Sequence, residues 1–144
     1  MNEEIMYLIK YNNRIFRNTQ IYLDKVLKQF ELSSGCYPFL FTLEENEGIS
    51  QNKISKEVGC DKAMSARTIT KLIAIGYIYK REDEDDSRAY KLYLTEKARV
   101  IIPKIHEEIQ NMVAFITEDI NTEEKHVTMD SLKKILNSAK NLKA

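Results

Sequence analysis

The chain has few of the residues that interrupt regular structure or that substitute for a hydrophobic core. Its 144 residues include 4 glycines, 2 prolines, 2 cysteines and no tryptophan. So little glycine and proline argues against long irregular linkers and favours helices, and the length suits one ordinary domain with a core of its own. Cys36 and Cys60 are far apart and form no CxxC motif, which indicates a reducing compartment or inert buried thiols.

A long apolar run and a net charge are also absent. No run approaches the roughly 20 residues that span a bilayer, and the acidic start Met1–Glu4 is unlike a signal peptide, so we expect a cytoplasmic protein without a membrane partner. The 22 basic and 22 acidic residues cancel, which as a sum argues against nucleic-acid binding. However, residues 48–99 carry 11 basic and 8 acidic side chains, whereas both flanking segments are net acidic.

Hydrophobic spacing predicts a mainly α fold with a small β-hairpin wing, an α+β arrangement built on a helix-turn-helix. Apolar steps of three and four residues predict helices, and alternation predicts the two strands of the hairpin. The predicted order is helix 4–30, helix 36–45, helix 51–58, helix 62–75, strand 77–81, strand 89–94, helix from 95 to about 119, and helix from 121 to near the C-terminus. Pro103 is expected to kink the penultimate helix or delay its start. The first helix is too long for its own domain to cover, which predicts burial against a partner.

The predicted helix 62–75 has the composition of a DNA-recognition helix. Ser65, Ile69 and Leu72 share its inner face at 100° per residue, so the opposite face is left to solvent or to a ligand. That opposite face carries Ala63, Arg67, Thr70 and Lys71, with Met64 at its edge and Lys62 at its start. Small residues allow close approach to base edges, Arg67 suits guanine, and Lys62 and Lys71 suit phosphates. A solvated amphipathic helix would also have a charged outer face.

The loop that joins the two strands adds a second candidate contact. Arg88, on a projecting ribbon, suits the minor groove beside a major-groove helix. Asp86 can hold its guanidinium by a charge-assisted hydrogen bond. The acidic run Glu82–Asp86 should repel phosphates, so we expect no broad electrostatic role for this loop.

Four segments together resemble the MarR family of winged helix-turn-helix regulators. They are Ile54–Asp61, Leu72–Ile78, Asp86-Ser87-Arg88 and Leu94-Thr95-Glu96-Lys97, of which the D-x-R hairpin followed by L-T-E-K is the most specific. The sequence departs from the family pattern at Ala98, at Pro103, and at Ala63, Met64 and Ala66.

The resemblance implies a single MarR-like domain over 1–144 that forms a homodimer. Residues 32–95 would be the DNA-binding lobe, and residues 1–31 and 96–144 the helical dimerisation lobe. It implies a transcriptional regulator, most simply a repressor, bound to a pseudo-palindromic double-stranded operator. The residues expected to contact DNA are Ser50, Lys62, Ala63, Met64, Arg67, Thr70, Lys71, Asp86 and Arg88. No cofactor or metal is implied.

Control by an effector is the open part of this interpretation. Family members often lose DNA affinity when a small aromatic ligand binds between the lobes or when a cysteine oxidises. Phe16, Tyr37 and Phe41 are candidates for lining a ligand pocket, although ordinary core packing explains them as well. Cys36 and Cys60 are candidates for a redox sensor, which needs a low thiol pKa and exposure.

Two other functional classes are alternatives to a DNA-binding regulator. An enzyme is not expected, because His106 and His126 belong to no metal or nucleophile motif and no phosphate-binding loop is present. A winged-helix protein-interaction module would keep the fold but lack cations on the outer recognition face. Arg67, Lys71 and Arg88 argue against that alternative, and salt-dependent DNA binding would discriminate the two.

Overall fold

The computed structural model describes residues 3–85 and 89–144, and within them the predicted order of elements is confirmed. Two 3-10 segments, Glu3–Tyr7 and Lys28–Phe30, flank the first long helix. The helices are α1 Leu8–Leu27, α2 Tyr37–Glu45, α3 Gln51–Val58, α4 Lys62–Ala74, α5 Glu96–Ile116 and α6 Thr122–Ala139, and the strands are β1 Ile78–Glu82 and β2 Tyr90–Leu94. The fold is therefore mainly helical with one antiparallel hairpin.

The expectation that Pro103 delays the start of the penultimate helix is wrong. Helix α5 begins at Glu96 and continues through Pro103 without a break. Its start is set instead by Thr95, whose hydroxyl accepts a hydrogen bond from Ala98 N (3.2 Å) and donates one to Gly76 O (2.6 Å). A cap that also bonds to the preceding segment outweighs the one backbone hydrogen bond that a proline removes.

Local caps define the helix-turn-helix. The Ser50 hydroxyl accepts from Lys53 N (3.1 Å) at the start of α3, and Asp61 Oδ1 accepts from Met64 N (2.8 Å) at the start of α4. Between the two helices Gly59 has φ 83°, a left-handed conformation that glycine adopts without steric penalty. The two caps and the glycine turn thus set the angle between α3 and α4.

The chain divides into two compact units, Met1–Ile109 and Gln110–Ala144. In the first unit a single hydrophobic core joins the helix-turn-helix to the hairpin and to parts of α1, α2 and α5. Its fully buried side chains include Leu27, Leu40, Leu43, Ile54, Ile69, Leu72, Leu92 and Ile105. At roughly 1.5–3 kcal/mol for each large apolar side chain, this burial is the main force that holds the first unit together.

The hairpin of the first unit is in a fixed register. Ile78 pairs with Leu94 at its base and Glu82 with Tyr90 towards its tip. Ser50 forms an additional antiparallel bridge with Lys91, and Leu92 N donates to Ile49 O (3.0 Å). The segment before α3 therefore runs along the second edge of β2, which connects the wing to the helix-turn-helix.

The second unit contains the end of α5 and the whole of α6. Asn121 and Glu124 form the predicted capping box, with hydrogen bonds of 2.8 and 3.1 Å. None of the residues of α6 is buried. With no buried residue, α6 lacks the packing that normally stabilises a helix in a globular protein. An isolated helix of this length is only marginally stable in water.

Candidate nucleic-acid interface

The outer face of α4 is exposed as the sequence predicted. Ser65, Ile69 and Leu72 are buried and hold the helix against the core of the first unit. Lys62, Ala63, Met64, Arg67, Thr70 and Lys71 are all exposed. The face therefore offers a guanidinium, two ammonium groups and a hydroxyl among small side chains, which is a set that can donate to base edges and to phosphates.

Hydrogen bonds connect the C-terminal end of α4 to the segment after α1 and to the start of α5. Tyr77 N donates to Leu72 O (2.9 Å), and the Tyr77 hydroxyl donates to Phe30 O (2.6 Å), beyond the end of α1. Burial, followed by the charge of Glu31, raises the pKa of Tyr77, so the hydroxyl remains a donor at neutral pH. Lys97 Nζ donates to Ile75 O (2.6 Å). These bonds hold α4 at a fixed position relative to the end of α1 and the start of α5.

The residues predicted to contact DNA are only partly within the described chain. Ser50 is half-buried and its hydroxyl oxygen accepts the capping bond of α3, which leaves its hydroxyl proton free to donate to a DNA phosphate. Asp86 and Arg88 lie outside the described residues. The strands that lead to them are described, and in β1 the Lys80 ammonium lies 4.4 Å from the ring centroid of Tyr90.

An ion pair near the base of the hairpin was not found by sequence reasoning. Arg99 donates to both carboxylate oxygens of Glu47, at 2.7 and 2.8 Å, and Glu47 Oε1 also accepts from Leu94 N (2.9 Å). The hydrogen bond from Arg99 lowers the pKa of Glu47, opposed by partial burial. The same pair raises the pKa of Arg99. A charge spacing of 52 residues leaves no pattern in the sequence, so only the fold could reveal this bidentate contact.

The candidate ligand residues are brought together only in part. Tyr37 and Phe41 are in edge contact with ring centroids 5.2 Å apart, and burial raises the pKa of Tyr37. His106 stacks on Phe41 at 4.0 Å, and its Nε2 lies 2.8 Å from Glu44 Oε1. Phe16 is 64 % exposed and takes part in neither ring contact. Sequence reasoning missed His106, because it is more than 60 residues from the groups that it meets.

The two cysteines differ in accessibility. Cys36 is 5 % exposed, and its Sγ lies 3.3 Å from the Ser33 hydroxyl. Cys60 lies in the turn between α3 and α4 and is half-buried. Within residues 3–85 and 89–144, no group of three or more His, Cys, Asp or Glu side chains is arranged to hold a metal ion. None of the helices described has the length and apolarity needed to cross a membrane.

Comparison with known proteins supplies an independent line of evidence. A family model described as the MarR family matches residues 32–90. The HTH-type transcriptional regulator BilQ of Clostridioides difficile is 31 % identical over 141 residues, which cover 98 % of this chain and 90 % of that protein.

Solved structures of proteins described as MarR regulators have the same fold as this chain. A MarR transcriptional regulator from Methanosarcina mazei superimposes with a TM-score of 0.88 at 28 % identity, covering 93 % of this chain and 96 % of the other. A MarR protein from Peptoclostridium difficile superimposes with a TM-score of 0.90 at 29 % identity, covering 94 % and 88 %. The fold that carries the exposed face of α4 is therefore that of helix-turn-helix regulators rather than of enzymes.

Proposed function

Because the chain belongs to the MarR family of DNA-binding transcriptional regulators, we propose that it acts as a homodimeric repressor at a pseudo-palindromic operator. The observation that carries this proposal is the exposed face of α4, where Arg67 and Lys71 lie on a helix whose other side is buried. In each protomer α4 lies in the major groove, Arg67 donates to a base edge, and Lys62 and Lys71 contact phosphates. Arg88, oriented by Asp86, enters the adjacent minor groove.

The homodimer is supported by apolar surface on each of the two units. In the first unit Ile9, Ile15 and Phe16 of α1 are 63, 58 and 64 % exposed. In the second unit Phe115, Val127 and Leu136 are 71, 57 and 57 % exposed. Large apolar surfaces exposed on a protein commonly mark sites where another protein binds. We propose that a second copy of the chain covers these helices, with residues 1–31 and 96–144 as the dimerisation lobe and residues 32–95 as the DNA-binding lobe.

Repression follows from geometry, because a dimer on its operator occludes the DNA that it covers. Release would come from a small aromatic ligand held by Tyr37 and Phe41, whose rings already meet edge to face. A redox signal through Cys36 is less well supported, since that thiol is buried and oxidation needs access. A protein that reads operator DNA in this way acts in the cytoplasm.

The test is selection of bound fragments from random duplex DNA, followed by footprinting of the best sequence. We expect an inverted repeat with half-sites about 10 bp apart, protected by one dimer. Enrichment of a single unpaired half-site would contradict the dimer. No enrichment, with binding that does not vary with salt, would favour a protein-interaction module and would overturn the proposal.

The effector proposal has its own assay. Benzoate or phenol should release the protein from the selected operator, and the Phe41→Leu variant should need more of either compound for the same release. Cyclohexane carboxylate is the control, because it has a similar size and no aromatic face. Equal release by all three compounds would contradict an aromatic site.

A further inference from the structure

We propose that the outward face of the hairpin, formed by Tyr79, Arg81, Lys91 and Tyr93, binds the sugar–phosphate backbone beside the groove that the hairpin tip enters. This inference rests on the proposed DNA-binding function and assigns a further contact to it. The four side chains share a face because Tyr79 pairs with Tyr93 and Arg81 with Lys91 in the antiparallel register. The other face carries Ile78, Leu92 and Leu94, which are buried.

The two cations of this face, Arg81 and Lys91, are paired unfavourably in the sheet. Directly opposed residues have Cβ atoms about 4.5–5.5 Å apart, and like charges at that distance destabilise the pair. Arg81 and Lys91 are such a pair, and neither belongs to an ion pair within the described part of the chain. A local conflict of this kind is expected where a ligand resolves it.

Two of the nearby carboxylates accept hydrogen bonds from other groups. Glu47 is held by Arg99 and by Leu94 N. Asp83, two residues beyond Arg81, accepts a hydrogen bond from Asp85 N (3.0 Å). An anion between the two cations would convert their repulsion into two attractive, charge-assisted contacts. The charge that fits is a phosphate oxygen of DNA, since the hairpin approaches the duplex at its tip. The acidic run Glu82–Asp86 that follows Arg81 repels phosphates, so this contact is confined to the strands and does not extend into the loop.

The Arg81 guanidinium is held in a defined position. Its central carbon lies 5.4 Å from the ring centroid of Tyr79 and 5.5 Å from that of Tyr93, and the two rings stack on each other at 5.4 Å. Contact with aromatic faces restrains the long Arg81 side chain before any ligand arrives. Gly48 lies beside the Tyr93 ring, because a Cβ at position 48 would be 3.5 Å from the Tyr93 hydroxyl.

The outward face is also continuous with the proposed DNA interface. Lys91 is bridged on its second side by Ser50, which caps α3 of the helix-turn-helix. A tract of polar and basic groups thus runs from Arg81 through Lys91 to the start of α3. A duplex that contacts α4 and the hairpin tip has phosphates along both sides of its minor groove, and this tract is complementary to one of those rows.

The experiment measures operator affinity between 50 and 200 mM salt for the full-length wild-type protein and for Arg81→Gln, Lys91→Gln and Lys91→Arg. Each lost phosphate contact reduces the magnitude of the negative slope of log K against log salt by about 0.9, so the fall in affinity across this range becomes about 3.5-fold smaller. We expect that change in both glutamine variants and the wild-type slope in Lys91→Arg. Lys104→Gln, a charge-matched change at an exposed position of α5, is expected to keep the wild-type slope.

A second measurement separates a DNA contact from a structural role. Without DNA and at low salt, Lys91→Gln should raise the melting temperature slightly, because it removes the repulsion with Arg81, and 0.5 M salt should abolish the difference. A wild-type slope in both glutamine variants, with operator preference intact, would overturn this inference and leave the proposed function standing. Salt-independent binding by the wild-type protein would overturn both.

Discussion

Replacing Ser65 by alanine tests the packing that positions the recognition helix. Ser65 is 2 % exposed on the inner face of α4, and its hydroxyl has no hydrogen-bond partner within the described residues. A buried hydroxyl without a partner costs about 1–3 kcal/mol in proteins. Alanine removes that cost, leaves a void of only one oxygen, and is favoured over serine inside a helix by a few tenths of a kcal/mol.

The expected result for Ser65→Ala is therefore stabilisation by about 1–2 kcal/mol, or about 3 °C in melting temperature per kcal/mol for a chain of this size. Urea unfolding followed by circular dichroism measures it, at one protomer concentration because the stability of a dimer depends on concentration. Operator affinity should not change, since Ser65 faces away from the exposed residues of α4.

Ser55→Ala is the matched control for this substitution. Ser55 is 4 % exposed on α3, but its hydroxyl donates to Asn52 O at 3.0 Å, so the same change removes a hydrogen bond. We expect Ser55→Ala to be neutral or destabilising by about 1 kcal/mol. If Ser65→Ala destabilised the protein as much as Ser55→Ala, the reasoning from the unpaired hydroxyl would be refuted.

Four further predictions concern binding, assembly and pH. Arg67→Ala should relax preference at one base position by about 1–3 kcal/mol, as measured by affinity for single-base operator variants. Arg88→Ala should weaken operator binding about tenfold, equivalent to about 1.4 kcal/mol, as a minor-groove contact is lost. Leu136→Lys should shift the protein towards monomers in sedimentation, because a charge would enter the proposed dimer surface. Because the bond from Arg99 lowers the pKa of Glu47, its stabilisation is complete above the unfolded value of 4.5 and is lost as the pH falls through the lower folded value; Glu47→Gln should therefore reduce the loss of stability on acidification below that unfolded value.

Each of these predictions has an outcome that contradicts it. A uniform loss across all sequences would make Arg67 a phosphate contact, and unchanged affinity would remove Arg88 from the interface. Lys134→Glu, on the opposite side of α6 from Leu136 at 100° per residue, serves as the assembly control, and equal dissociation by both variants would argue against a defined dimer surface. An unaltered acid transition in Glu47→Gln would mean that other carboxylates control the stability at low pH.

Local sequence signals predicted most of the helix-turn-helix. The bounds of α3 agree with the prediction, and α4 ends one residue earlier than predicted. Ser50, Gly59 and Asp61 act on backbone groups within four residues of themselves, so their effect does not depend on the rest of the chain. The exposed set on α4 follows for the same reason, since helical periodicity alone separates it from Ser65, Ile69 and Leu72.

The sequence by itself determined the elements, their order, and the side of α4 that faces outward, because caps, turns and periodicity act over a few residues. Only the tertiary structure decided which distant groups meet: Glu47 with Arg99, Tyr77 with the carbonyl of Phe30, and His106 with Glu44. These partners are 47 to 62 residues apart, and the packing of the core brings them together. No local sequence pattern predicts contacts over such separations. The register that sets Arg81 opposite Lys91 belongs to the same class, because a shift of one residue would turn one of them to the other face.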